Sequence, residues 1–111
     1  MIEVTIKDFL KKKLNVSCFF EIQKNYLKEF VIIEKIGSSK KNHLKTITLA
    51  FQSYSDTLYK ASVLNEKVKA VVEDLISLDS IASVNLDNDY NFTDSEAKRY
   101  RYQAIFDIKH Y

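Results

Sequence analysis

Apolar residues recur at helical spacing over residues 2–14, where Ile2, Ile6, Phe9, Leu10 and Leu14 share a face and Lys7, Lys11 and Lys12 take others. The spacing predicts a short amphipathic helix. Lys11, Lys12 and Lys13 close it, where cations meet the negative end of the helix dipole, so they read as helix-end residues ahead of a phosphate site. Residues 16–22 read as a short strand, and a polar stretch over residues 23–28 leads to a second: Phe30, Val31, Ile32, Ile33, Glu34, Lys35, Ile36. Its β-branched continuity predicts burial on both faces for part of its length, as in a central strand. Gly37 follows and opens Gly37-Ser38-Ser39-Lys40-Lys41-Asn42, which reads as a polar hairpin loop with the glycine supplying a positive φ. From residue 44 to 53 the chain alternates, with Ile47, Leu49 and Phe51 on one side and Thr46, Thr48, Ala50 and Gln52 on the other. These two strands are expected to pair antiparallel.

Ser55 and Asp56 suit the cap and first turn of a helix, and Leu58, Ala61, Leu64, Val68, Val71, Leu75 and Leu78 then recur every three or four residues. This predicts the main helix over residues 55–77, with Val72 and Ile76 widening its stripe enough to cover a sheet. Ile81, Val84 and Leu86 mark a short strand, followed by a polar loop. The last strand carries the clearest two-residue period: Tyr100, Tyr102, Ala104, Phe106 and Ile108 against Arg99, Arg101, Gln103, Ile105, Asp107 and Lys109. The expected fold class is α+β, an antiparallel sheet with a short N-terminal helix and one long helix packed on it, in the order α-β-β-β-α-β-β.

With 111 residues, the chain (1–111) reads as a single domain. A hydrophobic fraction of 46% excludes a mostly disordered chain. No proline and one glycine argue against flexible linkers and against glycine-rich phosphate loops, and so against dinucleotide or P-loop chemistry. The one cysteine, Cys18, cannot close an intramolecular disulfide; with no apolar leader, a reducing cytoplasm is the expected compartment. No window is long and apolar enough to span a membrane, so a soluble chain without membrane partners is expected. Charge is uneven: residues 1–45 carry 10 Lys against 5 acids, and residues 46–111 carry 7 basic residues against 10 acids. Such polarity permits complementary contact between copies.

The chemistry-bearing residues form no catalytic pattern. Asp87-Asn88-Asp89-Tyr90-Asn91 begins like a calcium loop, but Phe92 stands where the sharp turn needs glycine and Lys98 where a bidentate glutamate is needed. Cys18, His43 and His110 lack the spacing of a zinc site or of a thiol and imidazole pair. Glu73 and Asp74 are adjacent on a helix and point apart. Arg99 and Arg101 mix with Tyr100 and Tyr102, yet in a strand the arginines face one way and the tyrosines the other, which predicts tyrosines packed under the helix instead of stacked on bases. The sequons at Asn15 and Asn91 matter only in a secreted chain. No cofactor, metal or specific nucleic acid is expected, and a structural or binding role takes precedence over an enzyme.

Val31-Ile-Ile-Glu-Lys-Ile-Gly-Ser-Ser-Lys-Lys-Asn-His43, Leu49-Ala-Phe-Gln-Ser-Tyr-Ser55, Leu64-Asn-Glu-Lys-Val68, Asp89-Tyr-Asn-Phe-Thr-Asp94 and Lys98-Arg-Tyr-Arg-Tyr-Gln-Ala104 together resemble small neck proteins of long-tailed bacteriophages. The group resembled is the tail-terminator, or tail-to-head joining, proteins from phages of Gram-positive hosts. The resemblance spans nearly the whole chain and its motifs are structural. It implies an α+β virion subunit that forms a hexameric ring on the head-proximal end of the tail tube, one face stopping tube growth and the other docking the head. It implies as partners further copies of the chain, the tail-tube protein and a head-closure or connector protein, with assembly in the host cytoplasm and residence in the virion neck. No catalytic residue carries over, because the group has no catalytic motif. The expected contact residues are Gly37, Ser38, Ser39, Lys40, Lys41, Asn42 and His43 of the hairpin, and Asp87, Asn88, Asp89, Tyr90 and Asn91 of the polar loop over residues 87–94. The alternatives are a head-closure or connector subunit and, from another class, a small nucleic-acid-binding α+β module.

Overall fold

The computed structural model describes residues 1–22, 28–94, 96 and 99–111. The polar stretch predicted over residues 23–28 therefore lies, except for Lys28, outside the described residues. The elements run α1 (Ile2–Leu14), β1 (Ser17–Phe19), β2 (Phe30–Lys41), β3 (Leu44–Ser55), α2 (Leu58–Glu73), a 3₁₀ turn (Asp74–Ser77), β4 (Ile81–Asn91) and β5 (Tyr100–His110). The fold is α+β, in the predicted order of helices and strands.

Helix α1 ends where expected, on its three lysines. Asn15 takes a left-handed conformation (φ 54°) and its backbone N–H bonds the carbonyl of Lys11, a common way to close a helix without glycine. Helix α2 starts later than expected. Ser55 is still in β3, opposite Tyr100, and Thr57 is the cap: extended itself, it accepts a hydrogen bond at its hydroxyl from the Lys60 N–H at 3.1 Å. Past Glu73 the helix tightens into the 3₁₀ turn, so the predicted end at residue 77 holds with a change of winding.

The five strands form one sheet in the order β1-β2-β3-β5-β4. All neighbours are antiparallel except β1 and β2, which run parallel through Ser17 opposite Phe30, Cys18 opposite Val31 and Phe19 opposite Ile32. The short β1 flanks β2 only there, and there β2 is buried on both faces. Beyond it β2 becomes exposed, so the apolar run marks the length of the neighbouring strand.

Both helices lie on one face of the sheet. Ile6 and Leu10 from α1, and Leu64, Val68 and Val72 from α2, pack on Val31, Ile33, Ile47, Leu49, Phe51, Ala104, Phe106 and Ile108. Phe51 and Phe106 meet edge to face, with ring centres 5.8 Å apart. Cys18 joins this core as a buried apolar residue. Tyr100 and Tyr102 share the helix-side orientation through their pairing with Ser55 and Ser53, but both stay only half-buried.

The opposite face holds a smaller cluster of Phe19, Phe30, Ile32 and Tyr54, in which the Phe30 and Tyr54 rings stack at 4.6 Å. Beside it a polar chain crosses four strands: the Gln52 amide donates to Glu34 (3.3 Å) and to Gln103 (2.8 Å), and the Gln103 amide donates to the Tyr90 hydroxyl. Gln52 and Gln103 are buried, so a slip of any strand would leave amide groups without partners in a low-dielectric setting. The chain thus fixes the register of β2, β3, β5 and β4.

Candidate assembly interface

The predicted hairpin loop is largely strand. Pairing between β2 and β3 continues from Phe30 opposite Tyr54 out to Lys41 opposite Leu44, so Gly37, Ser38, Ser39, Lys40 and Lys41 belong to β2. Asn42 and His43 alone make the turn, with φ of 51° and 68°. Two successive left-handed residues are what a tight two-residue hairpin requires, and asparagine tolerates that conformation better than most side chains. Gly37 has no positive φ, contrary to the expectation. It sits just past a bulge at Ile36, and a Cβ placed on it would meet nothing within 4 Å. Its lack of a side chain is not what shapes the turn.

The hairpin is a stiff extension of the sheet, because β3 stays paired with β5 from Ser55 to Lys45. Lys40, Lys41, Asn42, His43 and Lys45 are exposed on it. Two open clefts border this basic end. One, about 460 Å3, is lined in part by Lys35, Ser38, Ser39, Lys40, Lys45 and His110; the other, about 360 Å3, by Ser39, Lys41, Asn42, Leu44, Thr46 and Lys109.

The second predicted loop is also strand. Asp87, Asn88, Asp89, Tyr90 and Asn91 complete β4, which pairs with β5 and has an irregularity between Leu86 and Asn88 that sets Asp87 aside as an extra residue. Three of the five side chains are engaged within the subunit. Asp89 accepts hydrogen bonds from Asn65 (3.0 Å) and Lys69 (2.9 Å) of α2, tying the helix to the far edge of the sheet. Tyr90 accepts from Gln103, and Asn91 accepts from the backbone and hydroxyl of Thr93, where the chain leaves β4. Asp87 and Asn88 remain exposed. Asp89 therefore also serves the fold.

The two predicted segments are not brought together. Lys40 shares a level of the sheet with Lys45, His110 and Ile81, whereas Asp89 is level with Ala104, Phe51 and Ile33 at the other end of β4. The hairpin and the Asp87 region thus occupy opposite edges and different heights.

Arg101, an apparent candidate for nucleic acid, is occupied internally. Its guanidinium lies 4.4 Å from the Phe92 ring centre and 5.6 Å from that of Tyr54, and it donates to the Phe92 carbonyl and the Tyr54 hydroxyl. Among the described residues no three His, Cys, Asp or Glu side chains gather into a metal site. Burial pushes the Cys18 thiol up to about 11 against the opposing pull of Lys7 and Lys11, which leaves it protonated and weakly nucleophilic at neutral pH. Among the described residues no helix is long and apolar enough to cross a membrane.

Sequence reasoning missed two features of this surface. A cleft of about 320 Å3 lies along β2, lined by Met1, Glu3, Phe20, Ile33, Glu34, Lys35 and Leu49. Leu86 is exposed on β4, at the opposite edge of the sheet. The signal for the second was an apolar residue inside a polar run, which reads equally as one end of a short strand. No protein-family model matches this sequence, and a search of curated proteins finds no match.

Proposed function

We propose that this chain is a non-catalytic building block that acts by associating with copies of itself and with neighbouring proteins of a larger assembly. The observation that carries this reading is a rigid sheet ending in two unlike, exposed edges: a basic hairpin at one and an acidic strand at the other. A heterologous ring needs one surface of each subunit to fit a different surface of the next. Within that class, the particular role is tail terminator of a long-tailed bacteriophage. Copies form a ring, hexameric in the group resembled, that caps the tail-tube protein and receives the head-closure or connector protein in the virion neck. Assembly takes place in the host cytoplasm without a cofactor. The resemblance across nearly the whole chain and the α+β fold support this role over a purely generic one.

In this role Lys40 and Lys41 meet a neighbouring subunit or the tail tube. The double reversal Lys40→Glu with Lys41→Glu, supplied to a phage lacking its own copy, is expected to lower infectious titre on the order of tenfold or more, since like-charge contact across an interface costs several kcal/mol. Both side chains are exposed, so the folded chain should survive the change, as its unfolding midpoint will show. An unchanged titre removes the hairpin from the contact surface.

A further inference from the structure

The sheet leaves two edges open among the described strands. On β2, the partner β1 covers residues 30–32 only, so residues 33–41 have no strand on that side; on β4, the whole side away from β5 is unpaired. Open edges of this length invite pairing with another chain unless they are blunted. Here they are selective instead of uniformly blocked. The β2 edge carries Lys35, Lys40 and Lys41 against Glu34, while β4 carries Asp87 and Asp89 and no basic residue. Asp89 is already paired with Lys69, so Asp87 is the exposed acid on β4. Pairing β2 with β2 would gather lysines, whereas β4 offers them this acid and no cation, which makes β2 with β4 the favoured combination.

Direction and height agree with the charges. Along the order β2-β3-β5-β4 every pair is antiparallel, so β2 and β4 run opposite ways. A second copy in the same orientation would therefore bring its β4 antiparallel to β2. Following the register across the sheet, Ile33 is level with Phe51, Ala104 and Asp89, and Lys40 with Lys45, His110 and Ile81. The open stretch of β2 thus matches residues 81–89 of β4 in height. Lys35 is level with Leu49, Phe106 and Leu86, and the apolar cleft beside β2 is lined by Ile33, Lys35 and Leu49 at that height. Leu86 pairs with Phe106 and shares its helix-side face, the same face on which Ile33 and Leu49 lie.

From this we infer that neighbouring copies join strand to strand: β4 of one copy adds antiparallel to residues 33–41 of β2 in the next, Leu86 stands level with Lys35 and enters the cleft bounded by Met1, Phe20, Ile33 and Leu49, and Asp87, the next residue on β4, comes within reach of the Lys35 ammonium. The sheet then continues from subunit to subunit. The inference rests on the ring reading above and names the join that the ring would use.

The test is a charge exchange followed by sedimentation velocity of the purified full chain over a concentration series. Lys35→Glu and Asp87→Lys, each alone, are expected to weaken self-association on the order of tenfold or more, and the two together to restore it. Both positions are exposed, so a fold defect is not expected, and the restoring double variant rules one out. Self-association that ignores all three variants overturns the strand join and leaves the ring to another surface. A wild-type chain that stays monomeric throughout also overturns it. The neck role is judged separately, by particle morphology, so the two readings fail by different observations.

Discussion

Phe106→Ala is expected to lower the free energy of unfolding by about 3–5 kcal/mol, the range for truncating a fully buried aromatic side chain. Phe106 is completely buried at the middle of β5, with Leu49 opposite on one side and Leu86 on the other. Its ring meets Phe51 edge to face beneath the helices, in a cluster that joins α1, α2 and all five strands. Truncation leaves a cavity that a sheet pinned by its glutamine chain cannot easily close. A domain of this size has about 5–15 kcal/mol in total, so the loss takes a large share. Urea denaturation of both proteins measures it, with Tyr59→Ala as a control. Tyr59 is 78% exposed and should change stability by less than about 0.5 kcal/mol. A loss below about 1 kcal/mol for Phe106→Ala contradicts its place at the centre of the core.

Asp89→Ala is expected to cost about 1–3 kcal/mol, because it strands partners that have little else. Asn65 is 1% exposed, its carbonyl oxygen is already unpartnered, and its amide gives its hydrogen bond to Asp89. Lys69 bridges Asp89 and Glu66 at 2.9 Å each, and Glu66 is the exposed member. Hydrogen bonds to Asp89 first and Glu66 second hold the Lys69 ammonium above its ordinary titration range, against some desolvation. A raised folded pKa means the stabilisation is fully present below the ordinary lysine value and fades as pH rises through the higher folded one. The gap between wild type and Asp89→Ala should therefore narrow only at strongly alkaline pH. Asp89→Asn, which keeps an acceptor, should cost less than the alanine variant. Equal costs for the two would show that acceptor geometry at this position does not matter.

Where hydrophobic period and local capping agree, the chain is legible. The stripe Ile2, Ile6, Leu10 and Leu14 ends on three lysines, and the alternation through Ala104, Phe106 and Ile108 has buried and open faces to match. The distal half of β2 was not legible, because Ser38, Ser39, Lys40 and Lys41 are exposed or half-exposed on both faces and so alternate nothing. A glycine beside a polar run then mimics a loop, while the turn is carried by Asn42 and His43. The run Asp87, Asn88, Asp89 reads as loop for a similar reason: an edge strand with one open face has little need of apolar residues. The contacts of the candidate interface are less visible still. Gln52 meets Glu34 and Gln103 from 18 and 51 positions away, and Asn65 meets Asp89 from 24. Only the register of the sheet brings such residues to one place, and the register also sets Lys35 and Leu86 at one height on opposite edges.

The central claim, that this chain ends the tail tube and joins it to the head, is tested most directly by negative-stain electron microscopy of particles from a phage in which this gene alone is disrupted. The account predicts filled heads beside separate tails, many of them longer than normal. Unjoined tails of normal length would move the chain to head closure, and intact infectious particles would contradict the neck role outright.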